Sequence, residues 1–266
     1  MDIAKISDRI DAITQIKAYQ AAPPAPKSVK IELTGRCNFR CGFCALRTRQ
    51  EQPKTDMDFG LFQKITVDMV TEGVEEIGLF YLGESMMNPE LLVAAIQHCK
   101  DIGVPYIFLT TNGSLATFDI VEDCMKAGLN SLKFSINAAD SAQFKEVMGV
   151  KPRLMQDALN NLKDARAVRD VGQYQCGIYA SSIRYDGEQQ TKMEALIKES
   201  VLPHVDQHYW LPLYSMGSLA TAREAELGYK PTAGNQGRLD NLREPLPCWS
   251  AFTEGHVTAD GYLSAC

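Results

Sequence analysis

Cys37-Asn38-Phe39-Arg40-Cys41-Gly42-Phe43-Cys44 follows directly on an apolar, β-like segment, Ser28 to Leu33. Three thiols within eight residues point to an iron or zinc centre. Zinc sites usually close four ligands through paired CxxC units or Cys/His mixtures. A lone CxxxCxxC leaves one position open, which suits a four-iron cluster that presents one iron to a ligand. The bland reading, unrelated cysteines of a reduced protein, meets the objection that buried structural cysteines do not normally gather on one short loop.

Working outward from that loop, short β-branched or apolar runs alternate with helical stretches. The runs are 28–34, 75–82, 105–111, 131–137, 174–182 and 207–213, and the helices fall at about 58–72, 89–101, 117–127, 139–148, 153–168 and 190–200. Gly103 and Gly128 stand just after the second and third helices, where a left-handed cap belongs. Six βα units predict an α/β fold with a parallel sheet curled into a partial (β/α)6 TIM-like barrel. Such a fold gathers its strand C-termini on one rim, and the cysteine loop lies there, after the first strand. Residues 4 to about 19 read as an amphipathic helix with Ile6, Ile10, Ile13 and Ile16 at helical spacing, ended by Ala21-Ala22-Pro23-Pro24-Ala25-Pro26 and expected to cover the barrel's bottom or side.

The 266 residues are 45% hydrophobic, enough to bury a full α/β core. A net charge of -6 with no long Lys/Arg run argues against nonspecific nucleic-acid binding. No apolar run approaches the roughly 20 residues that span a bilayer, and Asp2, Asp8 and Asp11 spoil a signal peptide, so a cytoplasmic protein with no membrane partner is expected. The uneven clustering of the eight cysteines fits a metalloprotein in a reducing compartment. Cys99, Cys124 and Cys176 are expected to pack, and His98, His204, His208 and His256 show no metal-ligand spacing.

The CxxxCxxC loop, with Phe43 as the aromatic before its last cysteine, resembles that of the radical S-adenosylmethionine (radical AdoMet) family. The resemblance implies that Cys37, Cys41 and Cys44 ligate a [4Fe-4S] cluster. It also implies that AdoMet chelates the open iron and that its reductive cleavage gives a 5'-deoxyadenosyl radical, which removes a substrate hydrogen. Tyr81-Leu82-Gly83-Glu84-Ser85, after the second strand, is similar to the family's Gly-Gly-Glu-Pro element at the methionyl amino group. Gly83 and Glu84 match it; Leu82 and Ser85 do not. Leu109-Thr110-Thr111-Asn112-Gly113 and Phe134-Ser135-Ile136-Asn137 resemble the segments lining the cofactor site. The resemblance therefore makes Phe43, Gly83, Glu84, Thr111, Asn112, Ser135 and Asn137 cofactor-binding residues. Ser135 and Asn137 share one strand face by the period of two. Tyr179, Ser181, Ser182, Trp210 and Leu211 are further candidates beside adenine or substrate, with core packing as the alternative.

Near the end, Cys248, Gly261 and Cys266 resemble the opening of the auxiliary-cluster region called SPASM, or Twitch in its shorter form. This implies that Cys248 and Cys266 ligate an auxiliary iron-sulfur cluster. Two cysteines cannot complete such a site, so the sequence reads as a truncated version of a longer protein. Asp260-Gly261 predicts a hairpin there. The expected organisation is an N-terminal helix and linker at 1–27, a radical AdoMet barrel at 28–215, a linker at 216–247 and the start of an auxiliary-cluster domain at 248–266. The 27 residues before the first strand are too few for the winged-helix domain of many peptide-modifying relatives. The resemblance implies an enzyme that oxidises, epimerises or crosslinks a peptide or small molecule, fed by a reductase or a flavodoxin- or ferredoxin-type electron donor. The alternative is a noncatalytic iron-sulfur or zinc protein serving electron transfer or interaction. The catalytic acid or base is not legible.

Overall fold

The computed structural model describes residues 25–44, 46, 55–185, 187–211 and 254–264. In chain order the elements are β1 (Ser28–Ile31), α1 (Phe59–Thr71), β2 (Glu76–Gly78), a 3-10 turn (Ser85–Met87), α2 (Pro89–Asp101), β3 (Tyr106–Thr111) and α3 (Phe118–Ala127). They continue with β4 (Ser131–Ser135), α4 (Ser141–Met148), α5 (Arg153–Gly172), β5 (Gly177–Ile183) and α6 (Gly187–Leu196). Helical turns through His204, β6 (Gln207–Leu211), β7 (Glu254–Val257) and β8 (Leu263–Ser264) complete them. The six parallel strands and six helices are those expected from the hydrophobic alternation, with α4 and α5 both between β4 and β5 and no helix after β6 among the described residues. The sheet order is β6-β5-β4-β3-β2-β1-β7-β8, with no pairing among the described residues that closes it into a barrel. The N-terminal helix expected over 4–19 lies outside the described residues.

The helices start where short polar side chains replace the missing backbone partners. Asp58 accepts from the Leu61 amide at 2.8 Å, Asn88 from Leu91 at 3.2 Å with Pro89 in the first helical position, and Asp140 from Gln143 at 2.9 Å. α3 stops at Gly128, whose φ of 110° is cheap only without a Cβ. α5 runs one turn past the expected 168 and ends on Gln173 at φ 53°, so β5 begins at Gly177 rather than 174.

Strand register sorts the sheet into two faces. Val29, Ile77 and Ile107 lie in one row, and Leu109, Leu132 and Ile178 in the next. All are buried in one core with the helix residues Phe62, Leu92, Ile96, Val121 and Leu162. The opposite face carries Lys30, Phe108, Thr110, Lys133, Tyr179, Ser135 and Ser181. The Lys133 ammonium, on β4, lies 5.9 Å from the Phe80 ring after β2 and 5.6 Å from the Tyr209 ring on β6, so this face is concave. Its C-terminal rim is the mouth of the partial barrel.

The Asp260-Gly261 hairpin is present. β7 and β8 pair antiparallel, the Thr258 amide donates to the Tyr262 carbonyl at 2.9 Å, and Gly261 takes φ 86°. Its first strand also joins the main sheet, parallel to β1 with Lys30 opposite His256. No helix among the described residues is long and apolar enough to cross a membrane.

Candidate active site

The cysteine loop leaves β1 and is fastened on two sides. On one, the Arg40 and Gly42 amides donate to the Met148 and Val147 carbonyls at 3.0 and 2.8 Å, and Phe39 meets Phe144 edge-on at 5.4 Å. The end of α4 therefore sets the path between Cys37 and Cys41. The Cys41 sulfur lies 3.4 Å from the Met148 sulfur. On the other side, Asn38 donates to Ser114 Oγ at 2.8 Å and accepts from Asn112 Nδ2 at 2.8 Å. Asn112 Oδ1 also accepts from the Ser114 amide and hydroxyl, at 3.0 and 2.7 Å. This network ties the loop to the turn after β3.

Glu84 is the buried centre of the neighbouring loop, at 3% exposure. Its carboxylate accepts from Thr111 Oγ1 at 2.9 Å, the Asn112 amide at 2.8 Å and the Met86 amide at 3.2 Å. Burial pushes its carboxyl above the ordinary range, and the three donors act in the opposite direction without cancelling it. Gly83 lies against the exit of β1 so closely that a Cβ would stand 1.8 Å from the Thr34 carbonyl oxygen. Only glycine lets this loop approach. The Glu84 amide donates to the Arg36 carbonyl at 2.8 Å. Arg36 in turn forks onto Asp56 at 2.8 and 2.6 Å. Burial raises Asp56, but hydrogen bonds from Thr34, Arg36 and Asn88 outweigh it and hold the carboxyl below its usual range.

The rim thus brings together Cys37, Gly83, Glu84, Thr111 and Asn112. Phe43 is half-buried against the core beside them. Ser135 stands further round, in register with Ser181 of β5. Asn137 is engaged by the same strand: its Oδ1 accepts from the Ile183 amide at 3.0 Å and its carbonyl from the Tyr185 hydroxyl at 2.7 Å. Ser182 and Trp210 lie on the helix side, where Ser182 Oγ and His208 Nε2 form a 3.1 Å hydrogen bond and His208 meets Trp210 edge-on. Cys99, Cys124 and Cys176 are buried, and burial raises all three thiols. Cys248 and Cys266 lie outside the described residues.

Sequence reasoning missed Asn38 and Ser114, small polar residues with no motif of their own. It also missed Glu32, which is 2% exposed and accepts from the Leu82 and Gly83 amides at 3.1 and 3.0 Å. Its signal was legible: Lys30, Glu32 and Thr34 alternate with Val29, Ile31 and Leu33, so β1 has a polar face.

The donor set suits a [4Fe-4S] cluster in kind and number: three thiols on one loop, at the open end of a concave sheet. Among the described residues no three His, Cys, Asp or Glu side chains already stand together as a metal site. Cys37 shows why the thiols need the metal. Burial pushes it up to about 12, a hydrogen bond from the Phe39 amide lowers it, and Glu84 and Cys44 raise it further. A cationic centre reverses that balance and takes the thiolate form, releasing protons on binding.

The radical SAM superfamily profile matches residues 31–178, more than half of the chain. In sequence the chain is similar to the tungsten-containing aldehyde ferredoxin oxidoreductase cofactor-modifying protein of Pyrococcus furiosus, 29% identical over 126 residues, 46% of this chain and 34% of that protein. It is similar also to PqqA peptide cyclase of Methylobacterium nodulans, 28% identical over 128 residues, 48% of this chain and 33% of that one. The matches span about a third of these relatives' length. Streptococcus suis SuiB bound to precursor peptide SuiA shares the fold with a TM-score of 0.65 at 16% identity, over 91% of this chain and 60% of that one. BtrN in complex with AdoMet and 2-DOIA does so at 0.54 and 14%, over 92% and 74%. With its family profile, its open parallel sheet and its rim of three cysteines, the chain belongs to the radical SAM superfamily, which uses a [4Fe-4S] cluster and S-adenosylmethionine.

Proposed function

We propose that this protein is a radical AdoMet enzyme that modifies a peptide. The observation that carries the reading is the fastening of the cysteine loop, through Asn38 and Asn112, to the same rim that holds Gly83 and Glu84. A cluster on Cys37, Cys41 and Cys44 and an AdoMet beside Gly83 and Asn112 would then share one mouth. An electron carrier needs no such lined concavity.

When bound, the cluster and AdoMet supply the one-electron cleavage and the hydrogen-abstracting radical. The protein binds and orients. Glu84 holds the end of β3 by accepting from the Thr111 hydroxyl and the Asn112 amide, and Gly83 lets the loop pack against the Thr34 backbone, which sets where the loop meets an ammonium group. Ser135 and Asn137 close the next strand end, and Phe43 covers the adenine side. The concave face behind them, with Tyr179, Ser181, Lys133 and Tyr209, would receive the substrate. Cys248 and Cys266 are assigned to an auxiliary cluster, and a flavodoxin- or ferredoxin-type donor in the cytoplasm to electron delivery. The peptide class is supported by the PqqA peptide cyclase and SuiB likenesses. A similarity to the probable GTP 3',8-cyclase of Methanococcus vannielii, 31% identical over 123 residues, keeps a small molecule as the second reading.

Anaerobic reconstitution with iron and sulfide tests the proposal. The parent protein with dithionite and AdoMet should release 5'-deoxyadenosine, and a precursor peptide encoded beside the gene should stimulate that release and gain a mass change. Iron-sulfur absorbance without any 5'-deoxyadenosine would return the protein to electron transfer.

A further inference from the structure

Glu32 joins two parts of the molecule that lie 50 and 227 residues from it in sequence. Its Oε1 accepts from the Leu82 and Gly83 amides, and its Oε2 accepts from the Ala259 amide at 3.2 Å, in the turn between β7 and β8. Its own amide donates to the Val257 carbonyl at 2.8 Å. A carboxylate 2% exposed is stable as an anion only when its lone pairs are taken, and here the cofactor loop takes one oxygen and the hairpin the other.

The hairpin reaches the same loop a second time. Lys30 pairs with Glu254 of β7 and lies 3.4 Å from His256 Nε2, and the His256 ring is 4.9 Å from the ring of Tyr81, the residue before Leu82. β7 thus adds a part-buried ion pair with β1 and an aromatic contact to Tyr81, on the side of the Tyr81-Leu82-Gly83 loop where β1 runs.

We infer that the β7–β8 hairpin is part of the AdoMet site, and that Glu32 is a positioning residue that transmits the hairpin's docking to the backbone of Leu82 and Gly83. This rests on Gly83 and Glu84 lining the AdoMet site as proposed above. Loss of the hairpin's hold on Oε2 frees the carboxylate to turn, and the two loop amides lose their common acceptor. Events at the C-terminal region, such as peptide docking or assembly of an auxiliary cluster, then change AdoMet affinity without touching AdoMet.

The test uses the full chain with two variants at the hairpin's contacts that leave residues 81–84 intact: Ala259→Pro in the hairpin, which removes the amide donor, and Lys30→Met on β1, which breaks its contacts with Glu254 and His256. Hydrogen exchange is read at the Leu82 and Gly83 amides without AdoMet, and AdoMet affinity by calorimetry at matched cluster content. Loss of one charge-assisted bond corresponds to about tenfold. Both amides should exchange about tenfold faster, the AdoMet Kd should rise about tenfold, and the iron-sulfur absorbance should stay at the parent value. Glu32→Gln should give the same signature from the other end of the bridge. If the variant that keeps the parent's unfolding midpoint shows parental exchange at both amides and a parental Kd, the coupling is overturned. Faster exchange with no AdoMet binding even by the cluster-loaded parent would uphold the bridge and overturn the AdoMet assignment instead.

Discussion

Replacing Gly83 by alanine puts a methyl group where the structure has no room. The added Cβ stands 1.8 Å from the Thr34 carbonyl oxygen, 2.9 Å from its carbon and 3.0 Å from the Arg36 carbonyl oxygen, all of them backbone atoms. An ordinary carbon–oxygen contact requires the loop and the exit of β1 to part by about 1.5 Å. Neither side can yield alone, because the Leu82 and Gly83 amides are held by Glu32 and the Glu84 amide by Arg36. Two bonds to a buried carboxylate and one backbone bond are at stake. At about 1–3 kcal/mol each for groups left unsatisfied, and with partial relaxation, the loss should be about 3–5 kcal/mol. That is a large share of the 5–15 kcal/mol typical of a domain. Urea unfolding of the apoprotein under anaerobic conditions measures it, and AdoMet titration should show affinity down by more than tenfold. Gly73 provides the control: its φ of 91° favours glycine, but nothing lies within 4 Å of an added Cβ, so Gly73→Ala should cost only about 1–2 kcal/mol. A Gly83→Ala protein within 1 kcal/mol of the parent, with parental AdoMet affinity, would refute this packing of the Leu82–Glu84 loop on the exit of β1.

Cys41→Ala should abolish 5'-deoxyadenosine formation and the iron-sulfur absorbance while leaving the unfolding midpoint of the apoprotein close to the parent, since the loop around it is fastened through the Arg40 and Gly42 amides and the Asn38 side chain; activity at the parent rate would remove Cys41 from the ligand set. Glu84→Gln supplies one acceptor oxygen where Thr111, Asn112 and Met86 now use two, and should cost about 1–3 kcal/mol of stability at pH 7 as well as AdoMet affinity. Calorimetry and denaturant titration that both match the parent would make this carboxylate dispensable. Burial lowers His208 to about 4 from its ordinary 6.5, so the unfolded chain takes up a proton that the folded chain refuses. Stability is therefore whole above pH 6.5 and falls as pH drops from there to about 4, by less than the full shift would give because the ring is only part-buried and partly solvated. His208→Gln should flatten that part of the stability curve, and a pH dependence identical to the parent's between pH 7 and 4 would contradict the assigned burial.

The parts of the fold and site legible in the sequence are those written locally. β4 and α4 announce themselves by period two in Leu132 and Phe134, and by an Asp140 cap ahead of a short apolar helix. The cysteine triplet declares its chemistry because one loop carries all three thiols. Glu84 could be placed after β2, yet its surroundings could not: a solvated Glu and one buried at 3% have the same neighbours in sequence, and the difference lies in Thr111 and Asn112 of the next strand. The shift of β5 to Gly177 has a similar origin, because α5 gained a turn through packing that its weakly periodic sequence does not advertise.

β1 shows why the remaining contacts had to come from far away in the chain. A six-stranded open sheet in this order would leave β1 as an edge, with unpaired amides beside the very loop that carries the cysteines. Its concave face also carries Lys30 and Glu32, 6% and 2% exposed, and such groups are stable only when paired. β7 answers both needs at once: it extends the ladder beside β1, brings Glu254 and His256 to Lys30, and delivers the Ala259 amide to Glu32. Polar residues at alternate positions of a strand that otherwise reads as core are therefore the mark of a missing partner, and here that partner lies more than 220 residues downstream. The wall of the Tyr81–Glu84 loop is built from both ends of the described chain, so under the proposed AdoMet site substitutions in the hairpin belong among those expected to change AdoMet binding.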